Sequence, residues 1–192
     1  MIVKLYYDKI TPYFDQKYFD ECYEKVGVYR QKKIDAYKDM NSKARSLAAG
    51  MLLIKGTQDM GIELLLDSIV IGEHGKPDFK EGTGWHFSLS HSGEYVMLGI
   101  SDGIIGVDIQ EQKDLKGDLA KRFFHQEEQE YLSKLSKEDY SEAFFRIWCL
   151  KESFVKYTGN GMSEGLETFS VLHKLGRSEL VDDGYISAYW TD

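Results

Sequence analysis

Apolar and polar residues alternate along this 192-residue chain with two different periods. Short runs that are rich in β-branched and aromatic residues, or in which apolar and polar residues strictly alternate, predict strands. Apolar residues three or four positions apart predict helices. Strands are predicted over 2–7, 69–71, 86–91, 95–100, 104–109, 168–172 and 185–190. Helices are predicted over 16–26, 29–38, 115–124, 126–135 and 138–157, together with one that Asn41 or Ser42 caps and that ends near Gly61. Helices and strands mix in both halves, which predicts the α+β class.

One predicted turn divides the chain near its middle. Residues 86–91 alternate polar and apolar, as a half-buried strand does. Ser101-Asp102-Gly103 then separates the strands predicted at 95–100 and 104–109, and its composition is typical of a tight hairpin. We therefore expect these two strands to pair and the chain to fold as two halves, 1–103 and 104–192.

Composition describes an ordinary globular protein, with 42% hydrophobic and 29% charged residues. The 32 acidic residues outnumber the 24 basic ones, and the net charge of -8 argues against a general nucleic-acid binder. No apolar run reaches the length of a membrane span, and Lys4 and Asp8 interrupt the start of the chain, which predicts neither a membrane helix nor a signal peptide. Cys22 and Cys149 stand far apart, which predicts two buried thiols in a cytoplasmic protein.

Several common catalytic motifs are absent from the sequence. It contains no G-x-S-x-G, no G-x-x-x-x-G-K-[ST], no H-E-x-x-H and no cysteine cluster of the kind that binds zinc. Ser90 and His91 are neighbours on a predicted strand, so their side chains point to opposite faces. A serine hydrolase is therefore not expected.

Two segments carry side chains that could take part in catalysis or binding. In the strand predicted at 104–109 and continuing to Gln110, Asp108 and Gln110 share one face. In the helix predicted at 138–157, Trp148, Glu152 and Lys156 stack along one side at i, i+4 and i+8. Taken alone, Asp108 is also compatible with an exposed strand residue, and Glu152 with Lys156 is compatible with a surface ion pair.

Four sequence blocks occur in a fixed order that changes this picture. They are Gly75-Lys76-Pro77, then Phe87-Ser88-Leu89-Ser90-His91-Ser92, then Gly106-Val107-Asp108-Ile109, then Trp148-Cys149-Leu150-Lys151-Glu152-Ser153-Phe154-Val155-Lys156. Together they resemble the signature of the Sfp-type 4'-phosphopantetheinyl transferases. Further similarity lies at Ala120-Lys121-Arg122-Phe123-Phe124, and at Gly159-x-Gly161-Met162 followed by Phe169-Ser170-Val171. The resemblance covers about residues 30–172.

This resemblance implies a fold and a reaction. Members of the family transfer 4'-phosphopantetheine from coenzyme A to a serine of an apo carrier protein, with Mg²⁺, and release 3',5'-ADP. They consist of two similar α+β halves, related by a pseudo-twofold axis, with the active site in the cleft between them. By resemblance, residues 1–103 would bind the nucleotide of coenzyme A, and residues 104–192 would bind the metal and dock the carrier.

The resemblance also assigns roles to individual residues. Asp108 and Glu152 would bind Mg²⁺, and Gln110 or a water would fill a third coordination place where the family often has an acid. Glu152 is also the candidate general base, and Lys156 would hold the pyrophosphate. The remaining residues expected at coenzyme A are Arg30, Lys33, Arg45, Gly75, Lys76, Pro77, Ser90 and His91. Residues 25–45 contain seven basic and two acidic residues, so a local basic segment suits this phosphate-rich ligand within an acidic chain.

A mixed basic and apolar segment after the Asp108 strand is the expected dock for the carrier protein. Its basic members are Lys113, Lys116, Lys121 and Arg122, and its apolar members are Leu115, Leu119, Phe123 and Phe124. The alternative for this segment is an amphipathic helix that packs its aromatic residues into the core.

Two other functions stay open at this point: a catalytically idle coenzyme A binder, which the uncharged Gln110 favours, and a metal-dependent coenzyme A hydrolase. A cytoplasmic monomer is expected, with neither a nucleic-acid polymer nor a membrane as partner.

Overall fold

The computed structural model describes residues 1–63, 69–72, 74–115, 117–161, 165–182 and 184–192. Within these ranges the strands are β1 (Val3–Lys9), β2 (Ile69–Ile71), β3 (Pro77–Phe79), β4 (His86–Ser92), β5 (Tyr95–Ser101), β6 (Gly106–Glu111), β7 (Ser178–Asp182) and β8 (Tyr185–Trp190). The α-helices are α1 (Gln16–Tyr23), α2 (Val28–Asp35), α3 (Met40–Asp59), α4 (Leu119–Phe123), α5 (Gln126–Ser133) and α6 (Lys137–Thr158). Short 3-10 helices cover Thr11–Phe14, Leu166–Thr168 and Leu172–Arg177.

The first sheet has the strand order β1-β5-β4 and is antiparallel throughout. Strands β4 and β5 form a tight hairpin, in which Ser92 pairs with Tyr95 and Gly93 takes a φ of +53° that favours glycine. Helices α1 to α3 cover one face of this sheet, where Phe87 and Leu98 share an apolar core with helix residues such as Leu47. The hairpin β2-β3 lies beside it and contacts β4.

The second sheet has the order β6-β8-β7 and is also antiparallel. Helix α6 packs on one face of it, against both β6 and β8. Ile147 and Leu150 of the helix share a core cluster with Ile186 and Ala188 of β8. The central strand β8 is thus buried between neighbours in the sheet and a helix above it.

A third core cluster joins the two sheets. Tyr95 and Met97 of β5 contribute to it from the first sheet, and Val107, Ile109 and Tyr185 from the second. The order of layers is therefore α1–α3, the first sheet, the second sheet and α6, which confirms the α+β class. The division at residue 103 into two halves with separate roles, and their pseudo-twofold relation, stay predictions.

Two details of the predicted elements are wrong. Strands β5 and β6 do not form a hairpin, because β1 and β4 occupy both edges of β5 and β6 pairs with β8 instead. The strand predicted at 168–172 is not formed: one 3-10 helix ends at Thr168, another begins at Leu172, and the residues between them pair with none of the described strands. The Val171 amide donates instead to the Glu128 side chain at 2.8 Å. The strand that pairs with β8 begins later, at Ser178.

Other predictions from the sequence are confirmed or adjusted. Helix α3 is capped by Asp39, which accepts the Ser42 amide, and not by Asn41 or Ser42 as predicted. Cys22 and Cys149 are buried free thiols, as expected. Among the residues that the structure describes, no helix combines the length and the apolar character that a membrane crossing requires.

Candidate active site

The site begins where strand β6 meets helix α6. Gly106, the first residue of β6, lies directly on the backbone of α6, and a Cβ atom there would overlap the Ser153 carbonyl oxygen and lie 2.9 Å from the Cα atom of Tyr157. Only glycine permits this approach of two backbones. Asp108 follows two residues later and shares the strand face of Gly106, so its carboxylate is directed toward α6.

Asp108 is the centre of a buried polar cluster. Its side chain is almost fully buried, and Oδ1 accepts hydrogen bonds from Ser90 Oγ at 2.7 Å and from Lys156 Nζ at 2.6 Å. Lys156 Nζ also donates to Ser90 Oγ at 2.7 Å. The other carboxylate oxygen, Oδ2, accepts from Gln110 Nε2 at 2.9 Å. Four of the predicted site residues thus contact one another directly.

Glu152 lies one helical turn before Lys156 and is half-buried. Burial raises the pKa of its carboxyl group, the negative charge of Asp108 raises it further, and Lys156 partly offsets both effects. Among the described residues, no hydrogen-bond donor reaches this carboxylate. A pair of neighbouring carboxylates, one of which lacks a donor, provides a favourable place for a cation.

The residues present fit the magnesium ion that the resemblance implies. Mg²⁺ is usually bound by one or two carboxylates and keeps its other positions for waters and substrate phosphates. In the described part of the chain no group of three or more His, Cys, Asp or Glu side chains could hold a metal ion. Asp108 and Glu152, whose charges interact, are the two carboxylates present at this site. Gln110 uses its amide nitrogen on Asp108, and its carbonyl oxygen is the atom that could serve as a ligand.

A cavity of about 260 Å³ adjoins Lys156. Predicted residues that line it are Gly75, Lys76 and Pro77. It is also lined by residues that were not predicted, namely His74, Ser88, Leu89, Val155, Gly159 and Gly161. Most of these residues lie next to a predicted site residue or within the quoted motifs, and this proximity in the sequence is the signal from which they could have been predicted. Lys76 donates to the Ile105 carbonyl oxygen at 3.1 Å, and burial lowers its pKa.

Positive charge converges on His91 at the end of β4. The pKa of His91 is lowered first by partial desolvation and then by the charges of Arg45, Lys156 and Lys33. Arg45 Nε donates to the Gly93 carbonyl oxygen at 3.0 Å, which fixes the arginine beside the β4-β5 turn. Such a group of cations beside an imidazole suits a phosphate ligand.

Arg30 is placed differently from the other predicted cations. Its side chain packs on α3, where a Cβ atom at Gly50 would lie 3.1 Å from Arg30 Cγ. Burial lowers its pKa, and it lines a separate cavity of about 850 Å³ together with Val26 and Leu53. Burial lowers the pKa of Lys33, and the charge of Arg30 lowers it further, so the two residues are electrostatic neighbours.

The expected carrier dock combines exposed charges with buried aromatic residues. Lys121 and Arg122 are exposed, with Lys121 paired to Asp118 at 2.8 Å and Arg122 lying over the Phe123 ring at 4.9 Å. Phe124 is buried in the core, as the alternative for this segment predicted. Of the other predicted members, Lys113 is exposed and paired to Glu111, Leu115 and Leu119 are half-buried, and Lys116 lies outside the described residues.

Comparison with known proteins identifies the family. A sequence model of the 4'-phosphopantetheinyl transferase superfamily matches residues 104–191, which include Asp108, Glu152 and Lys156. A 4'-phosphopantetheinyl transferase from Bacillus subtilis is 30% identical over 169 residues, which cover 88% of this chain and 72% of that protein. This chain belongs to the 4'-phosphopantetheinyl transferase family. The resemblance to the Sfp-type members is thereby confirmed.

Two further relatives show how much of the family's length is shared. The transferase Sfp of Bacillus subtilis strain 168 is 38% identical over 126 residues, which cover 62% of this chain and 56% of Sfp. The transferase gsp of Aneurinibacillus migulanus is 28% identical over 192 residues, which cover 94% of this chain and 79% of gsp. The matches therefore span between about half and four fifths of these 4'-phosphopantetheinyl transferases.

In this member of the transferase family, the lysine that precedes Glu152 has a structural position that the sequence did not reveal. Lys151 is fully buried and forms an ion pair with the fully buried Glu128 at 2.8 Å. Its ammonium group also donates to the carbonyl oxygens of Leu166 and Phe169 at 2.7 and 2.6 Å. Lys151 thus joins α6, α5 and the segment after residue 165, and it holds the helix that carries Glu152 and Lys156.

Proposed function

We propose that this protein transfers the 4'-phosphopantetheine group of coenzyme A to a serine of an apo acyl, peptidyl or polyketide carrier protein, and releases 3',5'-ADP. The observation that carries the proposal is the contact of Asp108 with Lys156 and Ser90. Glu152 lies on the same helix as Lys156, one turn before it. The cavity lined by Gly75, Lys76 and Pro77 adjoins Lys156. Family membership favours the same reaction. Mg²⁺ would be held by Asp108 and Glu152, with Gln110 nearby.

The reaction requires a new phosphorus–oxygen bond. The carrier serine oxygen attacks the phosphorus that bears pantetheine, the bond from that phosphorus to the bridging oxygen breaks, and 3',5'-ADP leaves with the electron pair. Glu152 accepts the serine proton, and the Lys156 ammonium stabilises the charge that develops on the leaving phosphate. Bound Mg²⁺ would neutralise charge on the pyrophosphate oxygens.

The remaining residues orient coenzyme A. Lys33, Arg45 and His91 offer cationic and hydrogen-bonding groups to a phosphate, and Ser90 contributes its hydroxyl group. The cavity beside Lys156 would receive part of the nucleotide, and the carrier would dock on the surface of α4, where Lys121 and Arg122 suit an acidic helix. Arg30 would contribute charge through its neighbourhood with Lys33. We expect a monomer, because one chain supplies all of these groups, and a cytoplasmic one, because two free thiols suit a reducing compartment.

Intact-mass spectrometry of the carrier tests this proposal. The purified protein is incubated with coenzyme A, Mg²⁺ and apo carrier proteins from fatty acid, polyketide and peptide synthesis. We expect a carrier whose mass increases by one phosphopantetheine group and the release of 3',5'-ADP. Absence of the adduct on every carrier would contradict the proposal; cleavage of coenzyme A without carrier would indicate a hydrolase, and binding without cleavage would indicate an idle coenzyme A binder.

A further inference from the structure

Three alternate serines of β4 contact the free edge of β6. Ser88 Oγ accepts the Val107 amide at 3.1 Å, Ser90 Oγ accepts the Ile109 amide at 3.4 Å, and Ser92 Oγ accepts the Glu111 amide at 3.0 Å. The separation is 19 residues in all three pairs, so the two strands run in the same direction with one fixed register. We call these three serines the hydroxyl ladder.

The ladder connects two different sheets. Strand β4 is the edge of the first sheet and β6 the edge of the second, and no backbone pairing between them is present among the described strands. Successive amides of a strand point to opposite edges, so Gly106, Asp108 and Gln110 face β8 while the three ladder amides face β4. Without the serine hydroxyls, the edge amides of the buried residues Val107 and Ile109 would have neither water nor a protein acceptor, which would be costly.

The packing around the ladder leaves little freedom for another register. Ser88 and Ser90 are buried, and Gly99, which pairs with Ser88, would place a Cβ atom 2.5 Å from Val107 Cγ1. The absence of a side chain at Gly99 lets β6 approach the first sheet closely enough for serine hydroxyls to reach its amides. A shift of β6 by one residue would turn Val107 away from this space.

The ladder also reaches the catalytic groups. Its middle member, Ser90, donates to Asp108 and accepts from Lys156. The strand that bears the ladder also carries His91, and the turn that follows it is held by Arg45. The groups proposed to bind phosphate therefore lie on one side of the ladder, and Asp108 lies on the other.

We infer that Ser88 and Ser92 are positioning residues, which through the hydroxyl ladder fix the register between the sheet that carries His91 and the sheet that carries Asp108. This inference rests on the proposed function for its effect on turnover, whereas the ladder itself can be tested without any ligand.

Amide hydrogen exchange measured by NMR on the full chain tests the ladder. In Ser92→Ala we expect the Glu111 amide to exchange about tenfold faster, and in Ser88→Ala the Val107 amide, because each loses its acceptor. The amides of Asp108 and Gln110, which face β8, serve as references in the same spectra and should not change. Ser92→Thr keeps the hydroxyl group and should keep the protection at Glu111, and Ser133→Ala on exposed α5 is the matched control.

Turnover of the same variants tests the positioning role. We expect kcat for carrier modification to fall about tenfold in Ser92→Ala and to recover in Ser92→Thr, with Ser133→Ala unchanged. Unchanged exchange at Glu111 and Val107, or an equal rise at the reference amides, would overturn the ladder. A selective rise in exchange with unchanged kcat would overturn the positioning role. If the unsubstituted protein modifies no carrier, the proposed function fails, and selective exchange would still support the fixed register.

Discussion

Two carboxylates on different elements, Asp108 of β6 and Glu152 of α6, carry the proposed chemistry at the scale of single residues. We expect Asp108→Ala and Glu152→Ala each to reduce carrier modification by at least about 100-fold, because each removes a negative group from the place where Mg²⁺ and phosphate would meet. Intact-mass assays give the rates, and circular dichroism checks the fold. The matched control is Glu111→Ala, since Glu111 is on β6 as well but pairs with Lys113 at 2.7 Å. A rate near that of the unsubstituted protein in either site variant would contradict the assignment.

The buried pair of Lys151 and Glu128 gives a prediction about stability. Both side chains are fully buried, so Glu128→Gln would leave the lysine charge without its partner and should lower the free energy of unfolding by about 3–5 kcal/mol. Urea unfolding measures this change, and Glu127→Gln on the exposed side of α5 should alter it by less than about 0.5 kcal/mol. In Lys151→Met combined with Glu128→Gln, the loss should be smaller than the sum of the two single losses. Additive losses would show that the charges are not coupled.

The functional residues could be predicted from the sequence only where they lie within a recognisable motif. Asp108, Glu152 and Lys156 stand in matching blocks, and the structure brings Asp108 and Lys156 into contact. The ion pair of Lys151 with Glu128 escaped prediction because a single sequence does not show which distant carboxylate a buried lysine meets. The packing of Arg30 on Gly50 escaped it for the same reason.

At the scale of elements, alternation in β4 predicted the strand but not the environment of its polar face. Polar residues at every second position usually face water, as the interpretation of 86–91 assumed. Here Ser88 and Ser90 are buried against β6. The turn residues Ser101-Asp102-Gly103 similarly fit a hairpin, yet the pairing of β5 with β1 depends on contacts about a hundred residues apart, which local turn chemistry cannot indicate.

The contact between β6 and α6 yields a prediction at this scale. Gly106→Ala would place a methyl group on the backbone of α6 near Ser153 and Tyr157, so strand and helix must separate and Asp108 must move away from Lys156. We expect a loss of stability of more than about 2 kcal/mol and a loss of carrier modification. Gly176→Ala is the control, because a Cβ atom there meets nothing within 4 Å and its φ lies outside the left-handed region. Equal stability of the two variants in urea would refute the close approach.

At the scale of the whole molecule, the two sheets share one core. Strand β5 provides Tyr95 and Met97 to this core, and β6 provides Val107 and Ile109. Each sheet therefore buries one apolar face against the other sheet. Polar contacts at the rim add to the apolar ones: Tyr95 donates to Asp182 at 2.7 Å, and Lys9 pairs with the same carboxylate at 3.0 Å. The chain is close to the average size of one domain, although its sequence suggested a division at residue 103.

This shared core predicts that both parts of the chain unfold together. Trp85 belongs to the first core cluster and Trp148 to the second, so each reports on one sheet with its helices. In a variant that keeps only Trp85 and in another that keeps only Trp148, with phenylalanine at the other two positions, the urea midpoint from fluorescence should equal the midpoint from far-ultraviolet circular dichroism of the same variant. Removal of apolar contacts between the sheets by Val107→Ala should lower both midpoints equally, since one cooperative unit loses that contact. If fluorescence and circular dichroism disagreed, or if Val107→Ala moved only the Trp148 transition, the two sheets would unfold separately, and the shared core would not make the chain one cooperative unit.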